Sequence, residues 1–247
     1  MDLGLADRVY LVTGGSKGLG FATARALVED GARVVLSSRS QENVDKAVAE
    51  LGPLAAGVAG DNAEPDLPDR LVALAKERFG RLDGLLLSVG GPPPGGVLDT
   101  DVEVWERAIG SVFLGTLRLL RTVATELTAG GAIALVLSTS VRQPLGNLAI
   151  SNGLRPGLAM TAKTLADELG PRGVRVVSLL PGTIATDRWA DLMTTPDALE
   201  KRTADIPLRR VGEPDEFGRV AAFVLSPAAS YLTGSVIAVD GGVVRGL

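Results

Sequence analysis

Thr13-Gly14-Gly15-Ser16-Lys17-Gly18-Leu19-Gly20 is the stretch whose residue types and spacing most plainly carry chemistry. Glycines at 14, 18 and 20 let a backbone turn tightly and approach a pyrophosphate, and a helix starting there would aim its unpaired N–H groups at the phosphates. Arg8–Thr13 reads as a buried strand and Phe21–Asp30 as a helix, so the turn sits in the strand–turn–helix setting that such a pattern needs. The end of the next apolar run, Arg33–Ser38, should read the adenosine ribose. Free ribose hydroxyls favour an acid there, and a 2′-phosphate favours a cation. The chain offers Ser38-Arg39 and no acid, and Lys17 lies where it could reach the same phosphate. The cofactor expected from these residues is NADP rather than NAD, bound through Gly14, Ser16, Lys17, Gly18, Leu19, Gly20, Ser38 and Arg39.

Composition narrows the remaining chemistry. The 247 residues include no cysteine and no histidine, which excludes disulfides, thiolate nucleophiles, zinc fingers and imidazole acid–base catalysis. Proton transfer is left to carboxylates, lysine, hydroxyls, water, or the two tyrosines, Tyr10 and Tyr231. No metal site is expected. The net charge is −4 and the basic residues are scattered, so nucleic acid is not an expected partner. Nothing resembles a signal peptide and no apolar run stands out as a membrane span, so the expectation is a cytoplasmic protein with a small-molecule substrate.

The elements that must position the glycine turn alternate regularly. Strand-like runs at Arg8–Thr13, Arg33–Ser38, Leu54–Gly60, Leu82–Val89, Ala132–Ser138, Val174–Leu180 and Val236–Asp240 are separated by helix-like stretches. Those stretches are Phe21–Asp30, Gln41–Leu51, Pro68–Phe79, Val102–Leu127 (with room for an interruption), Gly153–Leu169 and Asp215–Leu225. Continuous apolar strands each followed by a helix imply α/β architecture: a single doubly wound, Rossmann-type parallel sheet with helices on both faces. Residues 1–247 read as one domain. Ala185–Asp205 has weak periodicity and is expected to be a substrate lid, its Trp189, Leu192 and Met193 suggesting a partly apolar ligand. Gly90-Gly91-Pro92-Pro93-Pro94-Gly95-Gly96 is a stiff loop expected to wall the pocket, and Arg142 could meet an acidic substrate.

With these motifs in place the chain resembles the short-chain dehydrogenase/reductase family, and within it the 3-oxoacyl-(acyl carrier protein) reductase-like members. The likeness spans nearly the whole sequence. Asp61-Asn62 matches the adenine-contacting acid and its neighbour. Leu87-Ser88-Val89-Gly90 stands in place of Asn-Asn-Ala-Gly. Pro181-Gly182-Thr183-Ile184-Ala185-Thr186 matches the segment that holds the nicotinamide carboxamide. Tyr231-Leu232-Thr233-Gly234 and Val239-Asp240-Gly241-Gly242 match the C-terminal signature. The resemblance therefore implies cofactor contacts from Asp61, Asn62, Ser88, Gly90, Pro181, Gly182, Ile184 and Thr186, and a homotetramer.

The resemblance breaks at the reacting centre. Ser138 matches the family serine that bonds the substrate oxygen. The family tyrosine and lysine fall on Ser151 and Arg155, and the family asparagine falls on Val112, beside Ser111. A tyrosine with a pKa near ~10, lowered further by a lysine, is a usable acid for an alkoxide, whereas serine is far weaker. Arginine stays protonated, although its guanidinium stabilises negative charge. Ser138, Ser151 and Arg155 are thus the candidate catalytic residues of an oxidoreductase with an atypical Ser-Ser-Arg site. It would suit substrates that need little acid, such as a quinone or an iminium, or would draw its proton from water. The alternative is a catalytically silent NADP-binding sensor or partner subunit on the same fold.

Overall fold

Each apolar run becomes a parallel strand because both of its faces are covered. The computed structural model describes residues 2–186, 200 and 203–246. Its strands are β1 (Val9–Thr13), β2 (Arg33–Ser38), β3 (Ala55–Ala59), β4 (Gly84–Ser88), β5 (Ala132–Val136), β6 (Arg175–Pro181) and β7 (Ser235–Val239). They form one seven-stranded sheet in the order β3-β2-β1-β4-β5-β6-β7, parallel throughout. The order reverses between β1 and β4, which opens a crevice at their carboxyl ends.

Alternate residues of each central strand serve two cores. Val9, Leu11, Leu85, Leu87, Ile133 and Leu135 face one layer, and Tyr10, Val12, Leu86, Ala134 and Val136 face the other. The first layer is closed by α3 (Leu67–Phe79), by the long helix that ends in Glu126 and by a helix at Ala149–Leu169. The second is closed by α1 (Gly18–Glu29), α2 (Gln41–Leu51) and a last helix at Pro214–Leu225. This is the doubly wound α/β arrangement the apolar runs predict.

The long helix is interrupted, as its sequence allows: α4 (Val102–Ala108) passes through a π-helical segment, Ile109–Leu114, into α5 (Gly115–Glu126). Taken together its 25 residues, Val102–Glu126, hold an 18-residue window of mean hydropathy 1.2, so by length and composition it is apolar enough to cross a membrane, contrary to the expectation that no run is. Here one face of it is core: Val112, Leu119, Leu120 and Val123 pack beneath the sheet.

Two helices start about a turn earlier than the sequence suggests. The first begins at Gly18 rather than Phe21, so the last glycines of the turn belong to the helix. The helix expected at Gly153 begins at Ala149 and is labelled α6 (Ala149–Leu169); Pro214–Leu225 is α7. α6 keeps Pro156 in its interior, where the ring gives no N–H to the carbonyl of Asn152. Tertiary packing sustains it. A Cβ on Gly153 would lie 3.0 Å from the Trp105 ring and one on Gly157 3.1 Å from Phe113, so these glycines let α4 and the π segment lie close against α6. Most of the expected lid at 185–205, including Trp189, Leu192 and Met193, lies outside the described residues.

Candidate functional site

The crevice between β1 and β4 is built by glycine and one threonine. Thr13 Oγ1 donates to the Ser88 carbonyl at 2.9 Å and accepts from Ser88 N at 3.0 Å, tying the two carboxyl ends together. Gly14 has φ +58°, and a Cβ there would fall 2.8 Å from the Ser88 carbonyl oxygen. A Cβ on Gly20 would fall 2.3 Å from the Gly14 carbonyl oxygen, so only glycine lets α1 start against the turn. Ser16 and Leu19 are half-buried beside it. The N-terminal turn of α1 carries no acid, and its N-cap residue, Lys17, makes no capping side-chain bond. The first turn of the helix and its positive dipole end are therefore suited to an anion.

Two cations lie along the same edge. Lys17 and Arg39 are exposed, and their side chains take part in no hydrogen bond or ion pair among the described residues. Ser38, half-buried at the end of β2, accepts from Gly60 N at 2.9 Å. That bond brings the Asp61-Asn62 turn to the side of Arg39. The cradle and the uncapped helix end fit the pyrophosphate of a dinucleotide.

The segment from Pro181 to Thr186 closes the other end. A Cβ on Gly182 would fall 2.6 Å from Asp240 Cα, Ile184 is buried and bridged to Gly212, and the Ala185 N–H donates to the Gly212 carbonyl at 2.8 Å. The Thr186 methyl lies 3.4 Å from the Cβ position of Gly18, so this segment meets the glycine turn. Gly90 is exposed just past β4. The proline loop that follows is anchored: Gly95 N donates to the Asn147 carbonyl at 2.9 Å, and Ala149 N to the Gly95 carbonyl at 3.0 Å. With Trp105, Leu148 and Gly153 the loop walls a cavity of about 420 Å³. Ala149, Asn152 and Gly153 line that cavity from one side of α6 (i, i+3, i+4), whereas Ser151 and Arg155 share another side.

At the centre it is Ser140, not Ser138, whose hydroxyl meets that of Ser151. Ser138 Oγ accepts from Ser140 N at 3.1 Å, folding back on its own short 3-10 turn, Thr139–Val141. Ser140 Oγ lies 3.1 Å from Ser151 Oγ, and both side chains are buried. The sequence reading passed over Ser140; its only signal was the Ser138-Thr139-Ser140 run directly after a strand.

Arg155 is 4% exposed. One terminal nitrogen donates to the Val136 carbonyl at 2.7 Å and the other to the Val89 carbonyl at 3.2 Å. The guanidinium thus bridges the carboxyl ends of β4 and β5. Val112, where the family asparagine falls, is buried core, and Ser111 Oγ donates to the Arg107 carbonyl at 3.1 Å within its own helix.

Neither tyrosine reaches this centre. Tyr10 sits near the amino end of β1, donates to the Leu225 carbonyl at 3.4 Å, and is pushed up to about 12 chiefly by burial. Tyr231 is fully exposed beyond α7.

This combination of switch-point crevice, glycine cradle and cation edge defines a dinucleotide-binding α/β protein. Residues 14–244 match the family described as Enoyl-(Acyl carrier protein) reductase. The chain is 35% identical over 244 residues to Dehydrogenase/reductase SDR family member 4 of Homo sapiens, covering 96% of this chain and 88% of that protein. It superposes with TM-score 0.92 and 29% identity on L-sorbose reductase from Gluconobacter frateurii complexed with NADPH and L-sorbose, covering 100% of both chains. A 3-ketoacyl-(acyl-carrier-protein) reductase from Brucella melitensis complexed with NADH matches with TM-score 0.89 and 30% identity, over 97% of this chain and 99% of that one. The chain belongs to the short-chain dehydrogenase/reductase family.

Proposed function

We propose that the protein is an NADP(H)-dependent oxidoreductase that reduces a carbonyl-like substrate through an atypical Ser-Ser-Arg site. The observation that carries the cofactor preference is the pair of uncommitted cations, Lys17 and Arg39, on the edge of the glycine cradle, with no acid at Ser38-Arg39. The related proteins bind either NADPH or NADH, so these two residues decide which form this chain prefers.

A bound nicotinamide supplies the hydride. The residues of the chain bind and polarise the substrate oxygen. With Ser140 as the donor across its 3.1 Å contact with Ser151 Oγ, the Ser151 proton is left for a substrate oxygen. Arg155, one helical turn beyond Ser151 and held by its strand carbonyls, carries a fixed positive charge that would stabilise negative charge developing near Ser151. Ser138 offers a second hydroxyl at the end of β5. None of these groups is a good acid at neutral pH, so water provides the proton. A quinone fits this set best: it takes one hydride and one proton to become a hydroquinone, and its first reduced form is a stabilised phenolate-type anion.

A second reading, a silent NADP-binding sensor, draws support from Arg155, whose two terminal nitrogens are engaged with main chain. The test is thermal stabilisation by NADPH beside NADH, followed by NADPH oxidation with an ortho-quinone. A shift with NADPH alone, together with quinone-dependent oxidation, supports the reductase. A shift without turnover of any carbonyl, quinone or iminium leaves the sensor. No shift with millimolar NADPH or NADH removes both readings.

A further inference from the structure

The turn that carries Asp61 and Asn62 is gripped by two side chains outside the glycine cradle. Glu64 Oε1 accepts from Asp61 N at 2.8 Å, and its other oxygen takes an Arg70 terminal nitrogen at 2.5 Å. The second terminal nitrogen of Arg70 donates to the Ala59 carbonyl, at the end of β3, at 3.3 Å, and Nε lies 3.1 Å from Asp66. Gly60 makes room for this grip, since a Cβ there would fall 2.8 Å from the Arg70 guanidinium and 2.6 Å from Leu67. From the other side Arg118 donates to the Ala63 carbonyl at 3.2 Å, and a Cβ on Gly115 would fall 2.2 Å from the Asn62 carbonyl oxygen. The turn is thus fixed to β3, α3 and α5 at once.

The grip has a chemical consequence at Asp61. One carboxylate oxygen accepts from Ala63 N at 2.8 Å, and the other takes part in no hydrogen bond or ion pair among the described residues. An ionised carboxylate only accepts, so the second oxygen suits a ring that presents an exocyclic amine and opposes one that presents a carbonyl. Its selectivity depends on its being held still.

We propose that Glu64 and Arg70 are positioning residues for the adenine end of the dinucleotide site, holding Asp61 so that it accepts from the adenine 6-amino group. This rests on the reading of the crevice as a dinucleotide site. The side chains of Arg70 and Glu64 are 38% and 45% exposed, so replacing one leaves no buried charge and the variants should fold.

The test is fluorescence titration of the full chain with NADPH and with reduced nicotinamide hypoxanthine dinucleotide phosphate, which carries a carbonyl where adenine has its amine. The unaltered chain should bind NADPH about tenfold more tightly than the analogue. Arg70→Gln and Glu64→Gln should each weaken NADPH about fivefold and leave the analogue unchanged, so the preference collapses, and Arg70→Lys should restore part of it. A preference that survives in both Gln variants, with affinities held or falling together, overturns the proposal. So does an unaltered chain that binds both nucleotides equally, which would leave the dinucleotide reading intact. An unaltered chain that binds neither overturns the dinucleotide reading and this inference with it.

Discussion

The hydroxyl oxygens of Ser140 and Ser151 lie 3.1 Å apart, one on the 3-10 turn after β5 and the other in the first turn of α6, and both are buried. Only one of them can donate across that gap, so the other keeps a proton for a ligand. If Ser140 is the donor, Ser151→Ala should cut NADPH-dependent quinone reduction about tenfold and Ser140→Ala about threefold, with NADPH affinity untouched in both. Steady-state kinetics beside a binding titration checks this. Equal turnover in all three proteins would remove the pair from the reaction.

Arg155 acts first as a tie between strands. Arg155→Ala leaves the buried Val136 carbonyl and the half-buried Val89 carbonyl without this donor. The expected loss is about 3 kcal/mol of unfolding free energy, read as a lower urea midpoint. Arg155→Lys keeps the charge but not the fork and should recover less than half. An unchanged midpoint in the alanine variant would mean that the bridge contributes nothing.

Lys17 and Arg39 should act on one cofactor only. Neutralising either to Ala is expected to weaken NADPH about five- to tenfold and to leave NADH within about twofold. Because both side chains are exposed, the difference should shrink at high salt, which isothermal titration at two ionic strengths would resolve. Equal losses for NADPH and NADH would place the two residues on the shared part of the dinucleotide instead.

Tyr10 sets an alkaline limit on the fold. Burial raises its pKa from 10.0 to about 12, so the folded state holds the proton more tightly than the unfolded one. Its contribution is complete below the unfolded value and is lost as pH climbs through the folded one, which places the decline between pH 10.0 and about 12. Tyr10→Phe should flatten that part of the stability–pH curve in chemical denaturation at pH 9 and 11. A curve as steep as that of the unaltered chain would assign the decline to other groups.

The sheet was largely legible because each strand is a continuous apolar run, and continuous runs bounded by turns have few alternatives. Where reading failed, tertiary contact overrode local preference. Gly153 looks like the start of a helix, and Pro156 is a poor interior helix residue. Yet α6 runs from Ala149 through both, because Gly153 and Gly157 are flush against Trp105 and Phe113. Gly18 and Gly20 looked like turn only, and they are turn and helix together. Ser140 was invisible for another reason: its pairing with Ser151 depends on how a 3-10 turn aims a side chain across to a different element, which no spacing encodes. The Glu64–Arg70 grip is likewise a contact between a loop and a helix that share no pattern.

The strongest polar anchors lie at the amino ends of the strands, away from the crevice. Asp83 there accepts from Val9 N and from both sides of the Arg81 fork, and buried Arg175 gathers the carbonyls of Val224, Leu225, Ser226 and Leu232. These anchors hold the sheet from the pole opposite the crevice. Changes at the crevice leave this far set of ties intact, so their cost to folding comes from local ties such as Arg155.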